Sequence, residues 1–260
     1  MKVFGKSDIG NIRKANEDLF GTKLIADNAV LAVVCDGMGG LDLGDVAAEV
    51  ALTSFGETVT RLCSSHIKDR RLSLSDTQAD FILNNAVTIA NNRVIEKQEE
   101  IDVSEGMGTT LVAALIIDGG KKISWANIGD SRLYTVDSRD ILQVSKDHSY
   151  VQYMIDQGKL TLEEARKSKK KNLITKAIGI DVTCSPDVDT FPLSAEEIKE
   201  TKILLCTDGF SNSVSEEECM SITMNPSLST EQKVNTLIEL AKKNDGSDNI
   251  TLVMIDLSGD

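Results

Sequence analysis

Apolar positions along this chain fall into two periods, and the switch between them marks its elements. The unbroken run Ala29 to Val34 matches a short strand covered on both faces. Leu19 to Ile25 precedes it as the other arm of a hairpin turning at Asp27-Asn28. After Gly44 the pattern becomes helical. Val46, Ala47, Val50, Ala51 and Phe55 recur at intervals of three and four, predicting a helix that runs to about Cys63. A polar connector, Ser64 to Ser73, carries His66 as solvated surface. A second helix starts near Ser75 with Gln78 closing a capping box, and it carries Phe81, Ile82, Ala86, Ile89, Val94 and Ile95.

From Met107 the period shortens again. Gly108 to Ile117, Lys122 to Ile128, Arg132 to Val136 and Ile141 to Val144 read as a meander, with turns at Asp118-Gly119-Gly120, Gly129-Asp130-Ser131 and Asp137-Ser138. A polar, helical excursion follows from Asp147 to Ile178, capped at Thr161-x-x-Glu164. The chain then returns to strand near Val182 to Phe191, and a capped turn at Ser194 to Glu197 leads into the strand Lys202 to Cys206. Ser215-x-x-Glu218 and Ser229-x-x-Gln232 open two further helices, the second burying Val234, Leu237, Ile238 and Ala241. A last strand runs from Asn249 to Ile255.

Carboxylates stand where these strands stop. Asp36 follows the first apolar run and meets Gly37, Gly39 and Gly40, glycines expected to bend the backbone sharply through positive φ. An isolated Asp-Gly is ordinarily just a turn. Recurrence changes that reading, because Lys202 to Cys206 ends at Thr207-Asp208-Gly209 and Asp248 stands just before the last strand. The hairpin brings Glu17 and Asp18 toward the same end, Arg13 reaches over it, and the turn at Asp130 adds another loop carboxylate.

Composition narrows the partners. The chain has 260 residues, 41% of them hydrophobic, which suits one sandwich or barrel. A formal charge of -13 argues against nucleic acid or an anionic membrane as partner, since phosphates are repelled at long range. The start has no apolar leader and no apolar run is long enough to span a bilayer, so the expected location is cytoplasmic. Five cysteines form no Cys-x-x-Cys pair, and only two histidines exist, so a thiolate or imidazole zinc site is not indicated. The cysteines, Cys206 included, read as core. The basic run Arg166 to Lys171 reads as a solvated helix end, with contact to an anionic substrate as the competing reading.

Up to five clustered carboxylates repel strongly: two unit charges about 4 Å apart cost roughly 4 kcal/mol at a protein-surface dielectric. Divalent cations relieve this, and an oxygen-only donor set favours Mg2+ or Mn2+. Two such ions form the usual clamp for in-line attack on phosphorus by a bridging water. Arg13 supplies a guanidinium for phosphate oxygens. A calcium loop fails after Asp36 because Met38 and Gly40 occupy ligand positions, and no phosphate-binding Gly-x-x-x-x-Gly-Lys-Ser/Thr occurs. His148, within Asp147-His148-Ser149, reads as ordering its loop in preference to acting as an acid.

The blocks Arg13-x-x-Asn16-Glu17-Asp18, Asp36-Gly37-Met38-Gly39-Gly40, Gly106 to Thr110, Ala126 to Arg132, Asp147-His148-Ser149, Leu173 to Gly179, Leu205 to Gly209 and Asp248 to Thr251 occur in order. Together they resemble the metal-dependent Ser/Thr protein phosphatases of the PPM (PP2C-type) family, bacterial type. The resemblance implies an α+β fold, a four-layer α-β-β-α sandwich of two antiparallel sheets flanked by helices, as one domain over 1–260 with a flap at about 145–172. It implies that Asp36 bridges two ions, that Glu17 and the Gly37 carbonyl serve one and Asp208 with Asp248 the other, and that Arg13 holds the phosphate. Asp130 matches the residue that supports a third, weaker metal. The implied enzyme is a monomer with two Mn2+ or Mg2+ ions, removing phosphate from Ser or Thr of proteins phosphorylated by a Ser/Thr kinase. Animal members carry a histidine where this chain has Met38, and some bacterial relatives an aspartate where Asn212 stands. A catalytically silent regulator that binds phosphoproteins and a small-molecule phosphatase are the alternatives.

Overall fold

The computed structural model describes residues 1–39, 43–101 and 106–258, so Gly40 of the Asp36 block lies outside the described residues. Side-chain alternation along the strands builds the architecture. In β3 (Ala29–Gly39), Leu31, Val33 and Cys35 face α1 (Gly44–Ser64) and α2 (Asp76–Ile101), whereas Ala32 and Val34 face the opposite sheet. In β12 (Lys202–Cys206) and β13 (Ile250–Asp256), Ile203, Leu205, Val253 and Ile255 meet that inner layer. Leu204, Cys206, Leu252 and Met254 pack outward with Val234, Leu237 and Ile238 of α8 (Thr230–Asn244). Three apolar layers therefore separate four layers of structure, giving the expected α-β-β-α sandwich.

One sheet runs β1 (Lys2–Asp8), β13, β12, β9 (Arg132–Val136), β10 (Ile141–Gln143). The other runs β11 (Asp187–Pro192), β8 (Lys122–Ile128), β7 (Leu111–Ile117), β3, β2 (Asp18–Ala26), with β6 (Met107–Thr109) on the far end of β3. The pairings are antiparallel. A two-stranded ribbon, β4 (Ile67–Lys68) with β5 (Arg71–Leu72), fills the connector after α1, and His66 beside it is half-buried. The excursion holds α3 (Tyr150–Asp156) and α4 (Leu162–Arg166), α5 (Ala195–Glu200) precedes β12, and α6 (Asp208–Ser211) and α7 (Glu216–Thr223) follow it. Capping boxes close at Ser75, Thr161, Ser194, Ser215 and Ser229. Among the described residues no helix is long and apolar enough to cross a membrane.

Three expectations change. The strands after Met107 are no meander, because the chain leaves one sheet after Ile128 and enters the other at Arg132, so the turn at Asp130 is a crossover between sheets. Phe81 is 62% exposed, since Ile82, Ala86 and Ala90 set the buried stripe and Phe81 lies about 100° round the helix from Ile82. Finally, β3 does not stop at Asp36. It continues to Gly39 because β6 pairs with it there, Gly37 opposite Thr109 and Met38 opposite Gly108.

Candidate active site

Antiparallel pairing puts one end of several strands on a single rim. Asp18 at the start of β2 lies opposite Asp36 on β3, Cys206 lies opposite both Leu252 and Arg132, and Leu111 lies opposite Ile128. Glu17, Asp18, Asp36, Asp130, Asp208 and Asp248 therefore gather at this edge. The linker between β1 and β2 crosses over it and brings Arg13.

Gly37 is a glycine for closeness and not for positive φ, which corrects the turn expected there. A Cβ on Gly37 would strike the backbone of Gly44 and Glu17, and one on Gly44 would strike the Glu17 carboxylate and approach the Gly37 carbonyl carbon. That contact lets the first turn of α1 reach the rim, where the Gly44 amide donates to Glu17 Oε1 at 3.0 Å. The Asp36 main chain is fixed from β7's side: its amide donates to Thr110 Oγ1 at 3.0 Å, and the Thr110 amide donates to its carbonyl at 2.9 Å. Thr110 and Ser131 hydroxyls bond at 2.6 Å, tying Asp36 to the Asp130 crossover. Gly129 sits at φ 111° against Thr110, a conformation and a contact that both exclude a side chain.

Electrostatics at the rim are one-sided. Asp36 stays partly open to solvent but is packed round by protein. This desolvation, followed by the charges of Asp18, Asp208, Asp130 and Asp248, holds its carboxyl well above the usual range. Burial likewise pushes Asp18 up to about 7, Asp130 to about 7 and Asp208 to about 6, with acidic neighbours adding to each. Asp18 accepts from Thr207 Oγ1 at 2.8 Å, while its Oδ1 is buried without a partner.

Of the nearby guanidiniums, one is engaged beyond the rim and one within it. Arg132 forks onto Asp147 at 2.9 and 2.7 Å. Arg13 forks onto Asp248, Nε to Oδ1 at 2.8 Å and an Nη to Oδ2 at 2.9 Å. Arg13 and Asp248 thus meet each other, where the sequence assigned them to phosphate and metal separately. Among the described residues no three acidic, histidine or cysteine side chains form a set that could hold a metal ion as it stands. The donor chemistry nevertheless fits hard divalent cations: carboxylate oxygens in excess of positive charge, an orphaned buried Asp18 oxygen and the Gly37 carbonyl beside Glu17.

The match to a known family is now decisive, since the model for protein phosphatase 2C covers residues 7–243. The chain belongs to the protein phosphatase 2C family. It is 32% identical over 252 residues to the serine/threonine phosphatase Stp of Listeria welshimeri, covering 96% of this chain and 94% of that one. A crystal structure of a bacterial serine phosphatase superposes with a TM-score of 0.87 at 31% identity, covering 100% of this chain and 99% of that one. The catalytic domain of the serine/threonine phosphatase PstP, solved in complex with two manganese ions, superposes with a TM-score of 0.79 at 30% identity, covering 98% of this chain and 97% of that one.

One contributor to the rim of this protein phosphatase 2C member, Asn249, escaped the sequence reading. Asn249 accepts from the Glu17 amide at 2.9 Å and donates to the carbonyls of Ile9 and Ala15 at 3.0 Å each, so it pins both ends of the linker that carries Arg13. Its position beside Asp248 was the only available signal. Asp18 reaches the rim opposite Asp36, as the hairpin predicts. His148 behaves as a loop-ordering residue: its Nδ1 accepts from the Gly129 amide at 3.1 Å and its Nε2 lies 3.3 Å from Asp187. Cys206 packs in the outer core layer.

Proposed function

We propose that the protein is a Mg2+- or Mn2+-dependent phosphatase that removes phosphate from phosphoserine and phosphothreonine of proteins. The observation that carries this is the gathering of Asp36, Asp208, Asp248, Glu17 and Asp130 at one rim, where Arg13 pairs with Asp248. Glu17, the Gly37 carbonyl and Asp36 would hold one ion, Asp36, Asp208 and Asp248 a second, and Asp130 would support a third, weaker one. Bound there, the ions supply Lewis acidity toward phosphate and an activated water at neutral pH. All of residues 1–260 are read as one phosphatase domain, and the excursion 145–172 as its flap.

The chain's own residues do the rest. Were Asp248 to hold a cation, Arg13 would be released from it, and its two-pronged guanidinium would grip two phosphate oxygens. Asn249 holds the linker so that this exchange occurs without loss of register. Met38 carries no proton to donate, and both ring nitrogens of His148 face Gly129 and Asp187. With neither residue serving as the acid, water is read as the proton source for the leaving serine or threonine alkoxide.

Hydrolysis of a phosphothreonine peptide tests the reading. Turnover is expected with Mn2+, none with chelator, and a loss of about a thousandfold or more in Asp36→Ala. Activity that survives both chelation and Asp36→Ala would contradict it. Tight phosphopeptide binding without turnover at saturating Mn2+ would favour a silent regulator, and faster turnover of free phosphometabolites a small-molecule phosphatase.

A further inference from the structure

The basic run from Arg166 to Lys171 is left unused by this mechanism, although it places five cations in six residues of a chain whose net charge is -13. Two are engaged locally: Lys167 pairs with Glu163 at 2.6 Å, and Lys170 lies 4.7 Å over the Tyr150 ring. Among the described residues, Arg166, Lys169 and Lys171 form no ion pair or side-chain hydrogen bond, and all three are exposed.

Solvated lysines alone mean little, but this turn is tethered to the rim by a relay of main-chain bonds. The Leu173 amide donates to Lys170 at 3.1 Å, Tyr150 to Leu173 at 2.8 Å, Thr175 to His148 at 2.8 Å, and His148 to Gly129 at 2.8 Å. Gly129 precedes Asp130 in the crossover. Arg132 is committed to Asp147 and Arg13 to the phosphate, which leaves the exposed ammonium groups of this turn without an assigned partner.

We propose that the turn Lys169–Lys171 is a subsite for a second negative charge on the substrate, so that the protein prefers phosphoresidues flanked by an acidic side chain or a second phosphate. This rests on the phosphatase reading above. An anionic polypeptide approaching so acidic a protein is repelled at long range, and a local cationic turn beside the rim both lowers that barrier and selects the orientation of approach.

Phosphothreonine peptides carrying alanine, aspartate or a second phosphothreonine, one to four residues to either side, test the subsite. kcat/KM and, by fluorescence anisotropy, Kd are measured for the wild type, Lys169→Gln/Lys171→Gln and Lys169→Glu/Lys171→Glu. The wild type is expected to favour the aspartate peptide over the alanine peptide about fivefold and the doubly phosphorylated one about tenfold or more at low salt, the difference lying in KM and shrinking with salt. The preference closes in the glutamine variant and reverses in the glutamate variant. The ratio between aspartate and second-phosphate peptides identifies which source of charge the turn reads. A wild-type preference that both variants keep, or no preference in the wild type, would overturn the subsite. Charge-selective Kd without any turnover would overturn the phosphatase reading and leave the subsite standing.

Discussion

Strands β12 and β13 bury charge at both of their ends, in opposite ways. At one end Lys202 and Asp256 face each other across the ladder, Nζ to Oδ1 at 2.7 Å, with side chains 8% and 13% exposed. Burial works against the Asp256 carboxylate, but Lys202 and Ser258 bring it below its ordinary range. At the other end Asp208 and Asp248 face Asp36 and Asp18, and burial together with like charge drives three of these four carboxyls upward. One pair of strands thus closes on a satisfied ion pair and opens on an unsatisfied acidic cluster. The contrast shows which end serves the fold and which end is kept ready for a ligand, because a buried charge without a partner persists only where something else compensates it.

Breaking the satisfied end should cost stability and leave chemistry alone. Lys202→Met strands the Asp256 carboxylate, and a loss of about 3 kcal/mol is expected in denaturant unfolding, with kcat/KM per folded molecule unchanged. An equal fall in kcat/KM would mean the two ends are not separable.

At the open end the reverse holds. Arg13→Ala should lower kcat/KM on a phosphopeptide about a hundredfold while unfolding moves by less than about 1 kcal/mol, since its ion pair with Asp248 is half-exposed. Mn2+ affinity should not fall, because Arg13 competes with the cation for Asp248. A Tm loss comparable to that of Lys202→Met would refute this division.

A smaller effect comes from pH. Asp18 and Asp130 are pushed up to about 7 and Asp208 to about 6, whereas an unfolded aspartate titrates near about 4. Between these values the folded, metal-free chain binds more protons than the unfolded chain, so its stability falls as pH rises through the window. Asp256 acts with the opposite sign: its contribution is present above the unfolded value and is lost as pH falls through its lowered folded value. Calorimetry of metal-free protein from about pH 4.5 to pH 7.5 should therefore show a declining Tm, and saturating Mn2+ should remove the decline. A metal-free Tm that rises across the same range would contradict the pKa directions.

Much of this was legible along the chain. Strand parity, the capping boxes and the placing of Asp208 and Asp248 beside strand ends come from local pattern, and local pattern survives into the fold. What stayed hidden depends on partners remote in sequence. β3 runs past Asp36 because Met107–Thr109 pairs with it, and no feature of residues 36–39 announces that partner. The change of sheet between β8 and β9 leaves the same alternation on both sides of Gly129, so period alone reads it as a hairpin. Gly37 looked like a turn glycine, and only the approach of Gly44 and Glu17 shows that it is there for space. The fork between Arg13 and Asp248 joins residues from opposite ends of the chain, and Asn249 matters only because the linker it pins lies across the rim.

Calorimetric titration of metal-free protein with Mn2+ tests the central claim most directly. Two ions per chain are expected to bind in the wild type, with uptake of at least one abolished in Asp36→Asn although that variant stays folded and gains thermal stability without metal. Binding of the same two ions by Asp36→Asn, or no Mn2+ binding by the wild type at millimolar concentration, would contradict it.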